Sequence, residues 1–530
     1  MKKIQYISIA FVALLATGCA ESYLTQYPSG SSITEEQYRK MDDAVEGTIK
    51  GIYPLLYQAG DQDWFSQRSI DLYGDILCGD MGMSKAQYGW FQTDELMQTY
   101  GRRGTIWSYY YNFVRACNKG INAVETANPP LEFDRKDLSD DQYKAGFYYA
   151  QLLTLRGWAY SKLSNFFVEP DAQETDLAIP IYTEDATRED TVKGAPRATV
   201  GDLYMRINDD LLTAINYFEA YKEADRSSKL EVNVDIARIL LAYAYLNQGI
   251  DSLAFKYAED AITKGKPHIL PAEELLTTGF NDVSNENWLW GEDVTVENRT
   301  YMASYFTHVD IYTYGYASVG DVKGIDQLLF EAIPAWDKRQ HWWNNYYNTY
   351  KNDPKKKKAA LDVQYAPDGK FYNGKKWVLD GDKEWLSDNL YMRWEVAYLI
   401  AAEAAARQGD YTNAKQYLFD ITDERVDTAA TAPAAYAAWK AGLADADVLA
   451  TVKHNWRVEL WGEGYGLQTF RRYGESVTLG ENHQRSNKSI APSTARLFTF
   501  EIPTSEMTYN PFIRDTEGTS SQIQERRPME

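Results

Sequence analysis

Histidine and cysteine side chains and glycine-containing motifs are the usual signs of a catalytic or metal centre. In this sequence none of them forms a recognisable catalytic centre. The five histidines and three cysteines include no pair at metal-ligand spacing and no HExxH sequence. No GxSxG, Walker or GxGxxG motif occurs. Two of the 76 acidic residues could stand the roughly 5–10 Å apart that glycoside hydrolysis needs, but the sequence does not locate such a pair. We therefore predict that the protein is not an enzyme and has no catalytic residue, metal site or cofactor.

One acidic turn, Asp380-Gly381-Asp382 followed by Glu384, offers oxygen atoms of the kind that bind calcium. It lacks the ligand spacing and the sixth-position glycine of an EF-hand loop. We interpret it as a solvated turn, and a structural calcium ion (Ca2+) stays open as the alternative.

Aromatic residues are unusually abundant, with 15 Trp, 41 Tyr and 19 Phe. A flat ring can stack beneath the C–H face of a sugar while polar side chains at its rim bond the hydroxyls. Such residues concentrate in two stretches without helical periodicity. From these stretches we predict nine ligand contacts: Asp80, Lys85, Tyr88, Trp90, Phe91, Trp288, Tyr312, Tyr314 and Tyr316. The open alternative is that these rings pack the loops onto a scaffold.

The alternation of Tyr312, Tyr314 and Tyr316 predicts that one extended strand presents all three rings on the same side. Four residues, Trp342, Trp343, Tyr346 and Tyr347, are closer to helical spacing and are predicted to be core residues. We also expect that Trp90 and Tyr314 can be replaced together by Ala with little loss of stability, because both lie outside the periodic segments.

Helical periodicity dominates the chain from residue 34 onward. In 235–249, Ile236, Leu240 and Tyr243 recur at spacings of four and three, so one face of a helix is apolar. The pattern repeats after a turn at Gly249, which predicts an αα-hairpin whose small residues fit a tetratricopeptide repeat. The same template fits a helix over 390–408 and its successor. We predict a mainly α fold, a tetratricopeptide-like helical-repeat scaffold with long aromatic-rich loop insertions, the largest at 266–389.

The amino terminus has the features of a targeting segment. Lys2 and Lys3 precede an apolar stretch that is too short to span a bilayer, and small residues lead to Cys19 in a sequence that resembles the lipobox of bacterial lipoproteins. We predict a lipoprotein signal peptide at 1–18, lipidation of Cys19, a lipidated tether at 19–33 and a single helical domain at 34–530. Within that domain we distinguish an N-terminal part, 34–330, and a C-terminal part, 331–530. The formal net charge of -21 disfavours nucleic acid as a partner.

Short motifs in a fixed order resemble the SusD/RagB family of nutrient-binding outer-membrane lipoproteins over nearly the whole chain. Each motif alone is weak, while their order and spacing together are specific. They are Gly51-Ile52-Tyr53, Leu72 to Asp75, Trp107 to Asn112 with Asn118, Leu155 to Tyr160 with Ile179-Pro180, Arg197 to Val200, Asp210-Leu211, Asp337 to Arg339, Arg393 to Glu395 with Ala402 to Ala404, Asn455 to Glu459, Phe470 to Tyr473, and Ile502-Pro503 with Asn510-Pro511. One departure is the run Glu459 to Gly466, which carries extra glycines.

The resemblance implies a SusD-like helical fold and a role in glycan uptake. It implies a protein held in the outer membrane by a lipid anchor and facing the cell surface. Such a protein binds oligosaccharide or polysaccharide and delivers it to a SusC-like TonB-dependent transporter. Two alternatives stay open: a peptide-binding SusD/RagB-type protein, and a structural lid of the transporter without independent ligand binding. The resemblance does not identify the ligand, because the aromatic loops carry no shared motif.

Overall fold

Helices form most of the structure, and the strands between them are short. The computed structural model describes residues 44–513 except 59, 86, 93–99, 127–139, 187–189, 191–192, 222–225, 277–279, 313, 369–384, 486–487 and 491–498. Its α-helices are α1 (Ala44–Ile52), α2 (Gln67–Cys78), α3 (Tyr100–Glu125), α4 (Asp140–Phe167), α5 (Val200–Ala220), α6 (Val234–Asn247), α7 (Asp251–Lys264), α8 (Tyr305–Val309), α9 (Gln327–Glu331), α10 (Asn345–Tyr350), α11 (Lys357–Asp362), α12 (Glu395–Arg407), α13 (Tyr411–Thr422), α14 (Ala432–Gly442), α15 (Asp445–Glu459), α16 (Gly466–Tyr473) and α17 (Thr504–Tyr509). Its strands are β1 (Met81–Gly82), β2 (Leu177–Pro180), β3 (Arg197–Thr199), β4 (Trp288–Glu292), β5 (Gly324–Ile325), β6 (Asn389–Arg393), β7 (Val477–Thr478) and β8 (Ser489–Ile490). The predicted mainly α fold is confirmed.

Two helical hairpins, α6–α7 and α12–α13, repeat one another down to their turns. Gly249 and Gly409 end the first helix of each hairpin with φ of 72° and 78°, a left-handed conformation that favours glycine. In each turn, the N–H of the residue after the glycine donates to the carbonyl five residues back at 2.9 Å. The side chains of Gln248 and Gln408 each donate to the carbonyl four residues back. Both predicted hairpins are therefore present, with one shared turn geometry that is consistent with tetratricopeptide-like repeats.

The helices stack in order, each packed on the next, from α3 through α7 and then directly onto α12 and α13. Fully buried alanines on α7, Ala254, Ala258 and Ala261, allow close approach of the neighbouring helices. Helix α12 is buried on every side from Glu395 to Ala406, which is the burial expected of a helix at the centre of a stack. No helix of the described residues has the length and apolar character needed to cross a membrane.

Strand pair β4–β6 forms the base of the long insertion. The strands are antiparallel, with Trp288 opposite Arg393 and Glu292 opposite Asn389, so β4 of the insertion lies beside the segment that leads into α12. This pairing corrects the predicted helix over 390–408. Residues 389–393 form a strand because their backbone bonds to β4, and the helix begins at Glu395.

The carboxylate of Glu459, at the end of α15, accepts hydrogen bonds from three buried guanidinium groups. Arg339 donates at 2.9 Å, Arg393 at 2.7 Å, and Arg425 at 2.8 and 2.9 Å. Glu459 and its three partners are each 1 % exposed or less. Burial alone would raise the pKa of Glu459, but Arg425, Arg393 and Arg339 hold it well below its ordinary value. Glu459 therefore serves the fold.

The extra glycines after Glu459 form a turn around the buried carboxylate of Asp75. The backbone N–H of Gly462 donates to it at 2.7 Å and that of Gly466 at 3.0 Å. Burial and the nearby charge of Asp80 raise the pKa of Asp75 to about 8, although these two hydrogen bonds lower it. A Cβ at Gly464 would collide with the carboxylate of Asp71. The departure from the family pattern thus has a local steric reason.

Replacing Glu459 with Gln should lower the free energy of unfolding by about 3–5 kcal/mol, because it leaves buried guanidinium charge without its counter-charge. Urea denaturation of the two proteins measures this difference. Glu475→Gln is the matched control. Its carboxylate is 61 % exposed and pairs with Lys453, so its loss should change stability by less than about 1 kcal/mol.

The pH dependence separates this ionic role from a packing role. The stabilisation by Glu459 is complete above its unfolded-state pKa of about 4.3 and is lost as pH falls from there toward the lowered folded-state pKa. The stability gap between the natural protein and Glu459→Gln should therefore narrow below about pH 4. A gap that stays constant between pH 7 and pH 3 would contradict the ionic account.

Candidate functional site

A small strand pair brings the two predicted aromatic stretches together. β1 pairs antiparallel with β5, with Met81 opposite Ile325 and Gly82 opposite Gly324. A Cβ at Gly324 would lie 2.7 Å from the carbonyl oxygen of Tyr365, so this position requires glycine. The pairing holds the loop that follows β1 against the loop that precedes β5.

Tyr88, Trp90 and Tyr316 form one group of rings, which we call the aromatic platform. The ring centroid of Tyr316 lies 5.4 Å from that of Tyr88 and 5.9 Å from that of Trp90, with interplanar angles of 67° and 66°. Edge-to-face contacts of this kind are favourable for aromatic pairs. Tyr88 is 50 % exposed, whereas Trp90 and Tyr316 are half-buried. The platform therefore offers ring surface to solvent while its base packs on the protein.

Buried polar groups support the platform from below. The ring of His308 stacks on Tyr316 at 5.0 Å and on Phe65 at 5.5 Å. Its Nε2 lies 2.7 Å from the backbone oxygen of Gln62, and its Nδ1 lies 3.2 Å from Nζ of Lys323. The hydroxyl of Tyr316 donates to the side-chain oxygen of Gln62 at 2.8 Å. Stacking and hydrogen bonding together fix the position of the Tyr316 ring.

The charges beneath the platform are fully buried, and burial changes their pKa values. Burial, with the charge of Lys323 close by, lowers the pKa of His308 well below its ordinary value, so this imidazole is neutral. Burial lowers the pKa of Lys323 to about 8, although Asp321 lies 3.8 Å away and opposes that change. An ammonium group can only donate, so Nδ1 of His308 accepts and Nε2 donates to Gln62.

Tyr301, Tyr314 and Trp385 form a second group, which we call the outer aromatic group. The indole nitrogen of Trp385 donates to the backbone oxygen of Tyr314 at 3.1 Å, and its ring lies 5.6 Å from that of Tyr301. The guanidinium of Arg299 lies 4.8 Å from the centre of the Tyr301 ring. Tyr301 and Tyr314 are 52 % and 59 % exposed. Tyr301 and Trp385 adopt φ of 52° and 54°, which is unfavourable for bulky side chains, so the surrounding loops must hold them there.

Asp80, Phe91 and Trp288 are interior residues, and the prediction that they contact ligand is wrong. The carboxylate of Asp80 accepts a hydrogen bond from Arg457 at 2.7 Å, and its backbone oxygen accepts one from the indole of Trp461 at 2.9 Å. Phe91 is fully buried. Trp288 lies in β4, a strand whose residues are all buried, so neither of its faces reaches solvent.

The predicted strand of three aligned tyrosines is also wrong. Residues 314–316 form a turn that leads into a 3-10 helix at 317–319. The hydroxyl of Ser318 donates to the backbone oxygen of Gly315 and accepts from its N–H, which stabilises the turn. Tyr316 belongs to the platform and Tyr314 to the outer aromatic group. Tyr312 is half-buried, and burial with the nearby charge of Asp368 raises its pKa.

Lys85 is exposed and forms a surface ion pair with Asp362 at 2.7 Å, near the loop that carries Tyr88. Of the four predicted core residues, Trp342 and Trp343 are fully buried, whereas Tyr346 and Tyr347 are half-buried. Cys19 and the acidic turn at 380–384 lie outside the described residues. Among the residues that the structure does describe, no three His, Cys, Asp or Glu side chains lie close enough to hold a metal ion.

Four residues of the site were not predicted from the sequence: Gln62, Tyr301, His308 and Trp385. Tyr301 and Trp385 belong to the aromatic-rich insertion at 266–389, so their surroundings carried a compositional signal. Gln62 and His308 carried none, because their roles depend on contacts between distant parts of the chain.

Two family models match this chain along most of its length. One, described as starch-binding associating with outer membrane, matches residues 31–241. The other, the SusD family, matches residues 282–513. A SusD-like protein of Bacteroides ovatus is 32% identical over 126 residues. That match covers 23% of this chain and 21% of the relative's length.

Solved structures share the fold. A SusD-like carbohydrate binding protein from Bacteroides vulgatus superposes with a TM-score of 0.72 at 22% identity, covering 91% of this chain and 98% of the other. Surface glycan-binding protein A from Bacteroides thetaiotaomicron, in complex with laminarihexaose, superposes with a TM-score of 0.59 at 16% identity. That likeness covers 88% of this chain and 97% of the other.

Replacing Phe91 with Ala should lower the free energy of unfolding by about 3–5 kcal/mol, because it empties a packed interior site beside His308. Tyr314→Ala should change it by less than about 0.5 kcal/mol, because that side chain is largely exposed. Denaturant unfolding of both variants measures the contrast. Trp90 is half-buried and packs against the core, so its replacement by Ala should lower the free energy of unfolding by an intermediate amount. This revises the expectation that Trp90 can be replaced with little loss of stability. Equal losses for Phe91→Ala and Tyr314→Ala would contradict this placement.

Proposed function

This chain belongs to the SusD/RagB family, and we propose that it is a surface lipoprotein that captures glycan on the aromatic platform and the outer aromatic group. The observation that carries the proposal is the joining of Tyr88, Trp90 and Tyr316 in one accessible group, with the exposed ring of Tyr314 two residues away along the chain. In this proposal the protein binds without catalysing a reaction.

The geometry of the rings suits an oligosaccharide. Each pyranose ring has apolar C–H faces that gain from contact with an aromatic ring and hydroxyls that need polar partners. Two separate groups of rings can engage more than one sugar unit of a chain. Gln62, Arg299 and the Lys85–Asp362 pair supply polar atoms around the rings.

Rigid support favours binding because fewer groups must be ordered when the ligand arrives. The contacts of Tyr316 with His308 and Gln62 fix its ring before any ligand is present. The hydrogen bond from the indole of Trp385 to the backbone of Tyr314 fixes the Trp385 ring within the outer aromatic group.

The charge balance favours neutral glycans over polyanionic ones. The chain carries a net charge of -21, and the exposed Lys85 is already paired with Asp362. Peptide binding, the alternative within the family, would use backbone hydrogen bonds along a free strand edge. β1 and β5 are only two residues each, too short to bind an extended peptide along a strand edge, so these loops supply rings in place of such an edge.

The membrane and transporter roles extend the same proposal. An acylated Cys19 would hold the protein at the outer membrane, with the binding loops directed outward. From there it would pass bound glycan to a SusC-like TonB-dependent transporter. Support comes from the family, one of whose models is described as associating with the outer membrane.

Replacing Tyr88 and Tyr314 together with Ala should abolish glycan binding and leave the thermal unfolding temperature nearly unchanged, because both rings are exposed. Each lost stacking ring should cost about 1–3 kcal/mol of binding free energy, by analogy with bases stacked on aromatic side chains. Affinity electrophoresis against starch, xylan, mannan and laminarin, followed by calorimetry with laminarihexaose, measures the effect.

Tyr509→Ala is the matched control, because Tyr509 is a more exposed tyrosine, at 80 %, on the separate helix α17. It should bind as the natural protein does. If the natural protein binds none of these glycans, the glycan part of the proposal fails. Calorimetry with a mixed peptide digest then tests the peptide alternative.

The transporter part of the proposal predicts a stable complex in detergent extracts of the native outer membrane. An affinity tag at the carboxyl terminus of this protein should co-purify a transporter of the SusC type, and the Tyr88→Ala/Tyr314→Ala variant should co-purify it equally well. Recovery of the tagged protein alone would contradict delivery to such a transporter. A complex that forms with no glycan binding would favour the structural-lid alternative.

A further inference from the structure

A second cleft with an aromatic wall lies in the C-terminal part of the chain, between residues 332–339 and helices α14 and α15. Its volume is about 290 Å³, near the lower end of the range of about 300–1,000 Å³ for small-molecule sites. Trp336 and Trp439 line one side of it, and Asp447, Thr451 and His454 line the other. None of these residues belongs to the aromatic platform or to the outer aromatic group.

The wall is a small apolar cluster separate from the main core. The rings of Trp336 and Trp439 lie 4.9 Å apart, and Tyr436 stacks on Trp439 at 5.6 Å with an interplanar angle of 27°. Trp336 and Tyr436 are buried, whereas Trp439 is half-buried. The indole of Trp439 also contacts Phe419 at 6.0 Å, so three aromatic neighbours hold it in place while part of its surface lines the cleft.

Uncommitted hydrogen-bonding groups stand across from this wall. Nε2 of His454 is buried and has no hydrogen-bond partner within the described residues. Burial, with the charges of Arg339 and Arg457, lowers the pKa of His454 to about 3, so the imidazole is neutral and offers one donor and one acceptor. The hydroxyl of Thr451 uses its hydrogen on the backbone oxygen of Asp447 and keeps its acceptor capacity.

The charged side chains of the cleft do not favour a charged ligand. Arg339 lines the cleft but is paired with Asp337 at 2.6 Å and with Glu459 at 2.9 Å. Asn455 is also committed, accepting from Arg339 and donating to the backbone of Thr451. The exposed carboxylate of Asp447 disfavours anionic ligands and can accept hydrogen bonds from hydroxyl groups.

We propose that this cleft is a second carbohydrate site, which binds a single neutral sugar ring between Trp439 and the polar side formed by His454, Thr451 and Asp447. The indole would cover one C–H face of the ring, and the hydroxyls would bond the imidazole and the carboxylate. The volume of the cleft suits one sugar ring. The site goes beyond the proposed function, because it shares no residue with the platform and does not require the platform to bind glycan.

The test uses the full mature chain carrying Tyr88→Ala/Tyr314→Ala, so that the platform no longer binds glycan. The probes are glucose, galactose, mannose, xylose and N-acetylglucosamine at millimolar concentration, observed by saturation-transfer difference NMR. At least one of these sugars should give a signal. Adding Trp439→Ala should weaken its binding at least tenfold.

His454→Phe provides the second variant, because it keeps a flat ring of similar size and removes both nitrogens. It should also weaken binding at least tenfold. The thermal unfolding temperature should stay equal or rise, since a buried nitrogen without a partner is lost. A purely structural role for His454 predicts a lower unfolding temperature with binding intact. If one of the two variants fails to fold, the other decides the test.

Tyr509→Ala in the same background is the matched control and should leave the signal unchanged. The proposal is overturned if none of the five sugars gives a signal in the chain carrying Tyr88→Ala/Tyr314→Ala. It is equally overturned if the signal survives in a folded Trp439→Ala or His454→Phe variant. Neither result bears on the platform, whose binding is measured in the chain with Tyr88 and Tyr314 intact.

Discussion

Three guanidinium groups meet on the buried carboxylate of Glu459, and the arrangement of the C-terminal part depends on this contact. Arg339 comes from the long insertion, Arg393 from β6 and Arg425 from the turn after α13, so one side chain joins segments that are distant in sequence. Buried ion pairs are not in themselves a source of large stability, because desolvation offsets most of the attraction. Such pairs instead specify one arrangement of the chain. Once the carboxylate is buried, each guanidinium group must lie where it can bond that carboxylate.

Residues on either side of Glu459 also connect the end of α15 to the binding loops. Two residues before Glu459, Arg457 bonds the carboxylate of Asp80, and two residues after it, Trp461 bonds the backbone oxygen of Asp80. Asp80 directly precedes β1, from which the platform loop continues. β1 pairs with β5 and so fixes the second loop as well. The helical stack is therefore connected to the rings by a short series of buried polar contacts.

The loops themselves combine strain with exposure. Phe91, Tyr301 and Trp385 adopt left-handed backbone conformations that their side chains disfavour. Each is held by its neighbours. Phe91 is buried beneath the aromatic platform, whereas Tyr301 and Trp385 keep part of their ring surface open. A scaffold of regular helices with irregular loops between them allows such sites to differ among related proteins while the stack is kept. The two aromatic sites proposed for this chain occupy different parts of that scaffold.

The helical class, the two hairpins and the aromatic-rich insertions could be predicted from the amino-acid sequence, because periodicity and turn glycines are local properties of the chain. The sequence also indicated the family, through the order of short motifs. The sequence could not separate Tyr88 from Phe91 or Tyr314 from Tyr312, because both members of each pair are aromatic and lie in the same kind of loop. Which of those rings are exposed depends on contacts such as β1 with β5, which join residues far apart in sequence and are visible only in three dimensions. The roles of His308, Gln62 and Glu459 were decided by the tertiary structure for the same reason: a buried polar side chain takes its function from its partners, and the partners are chosen by the fold.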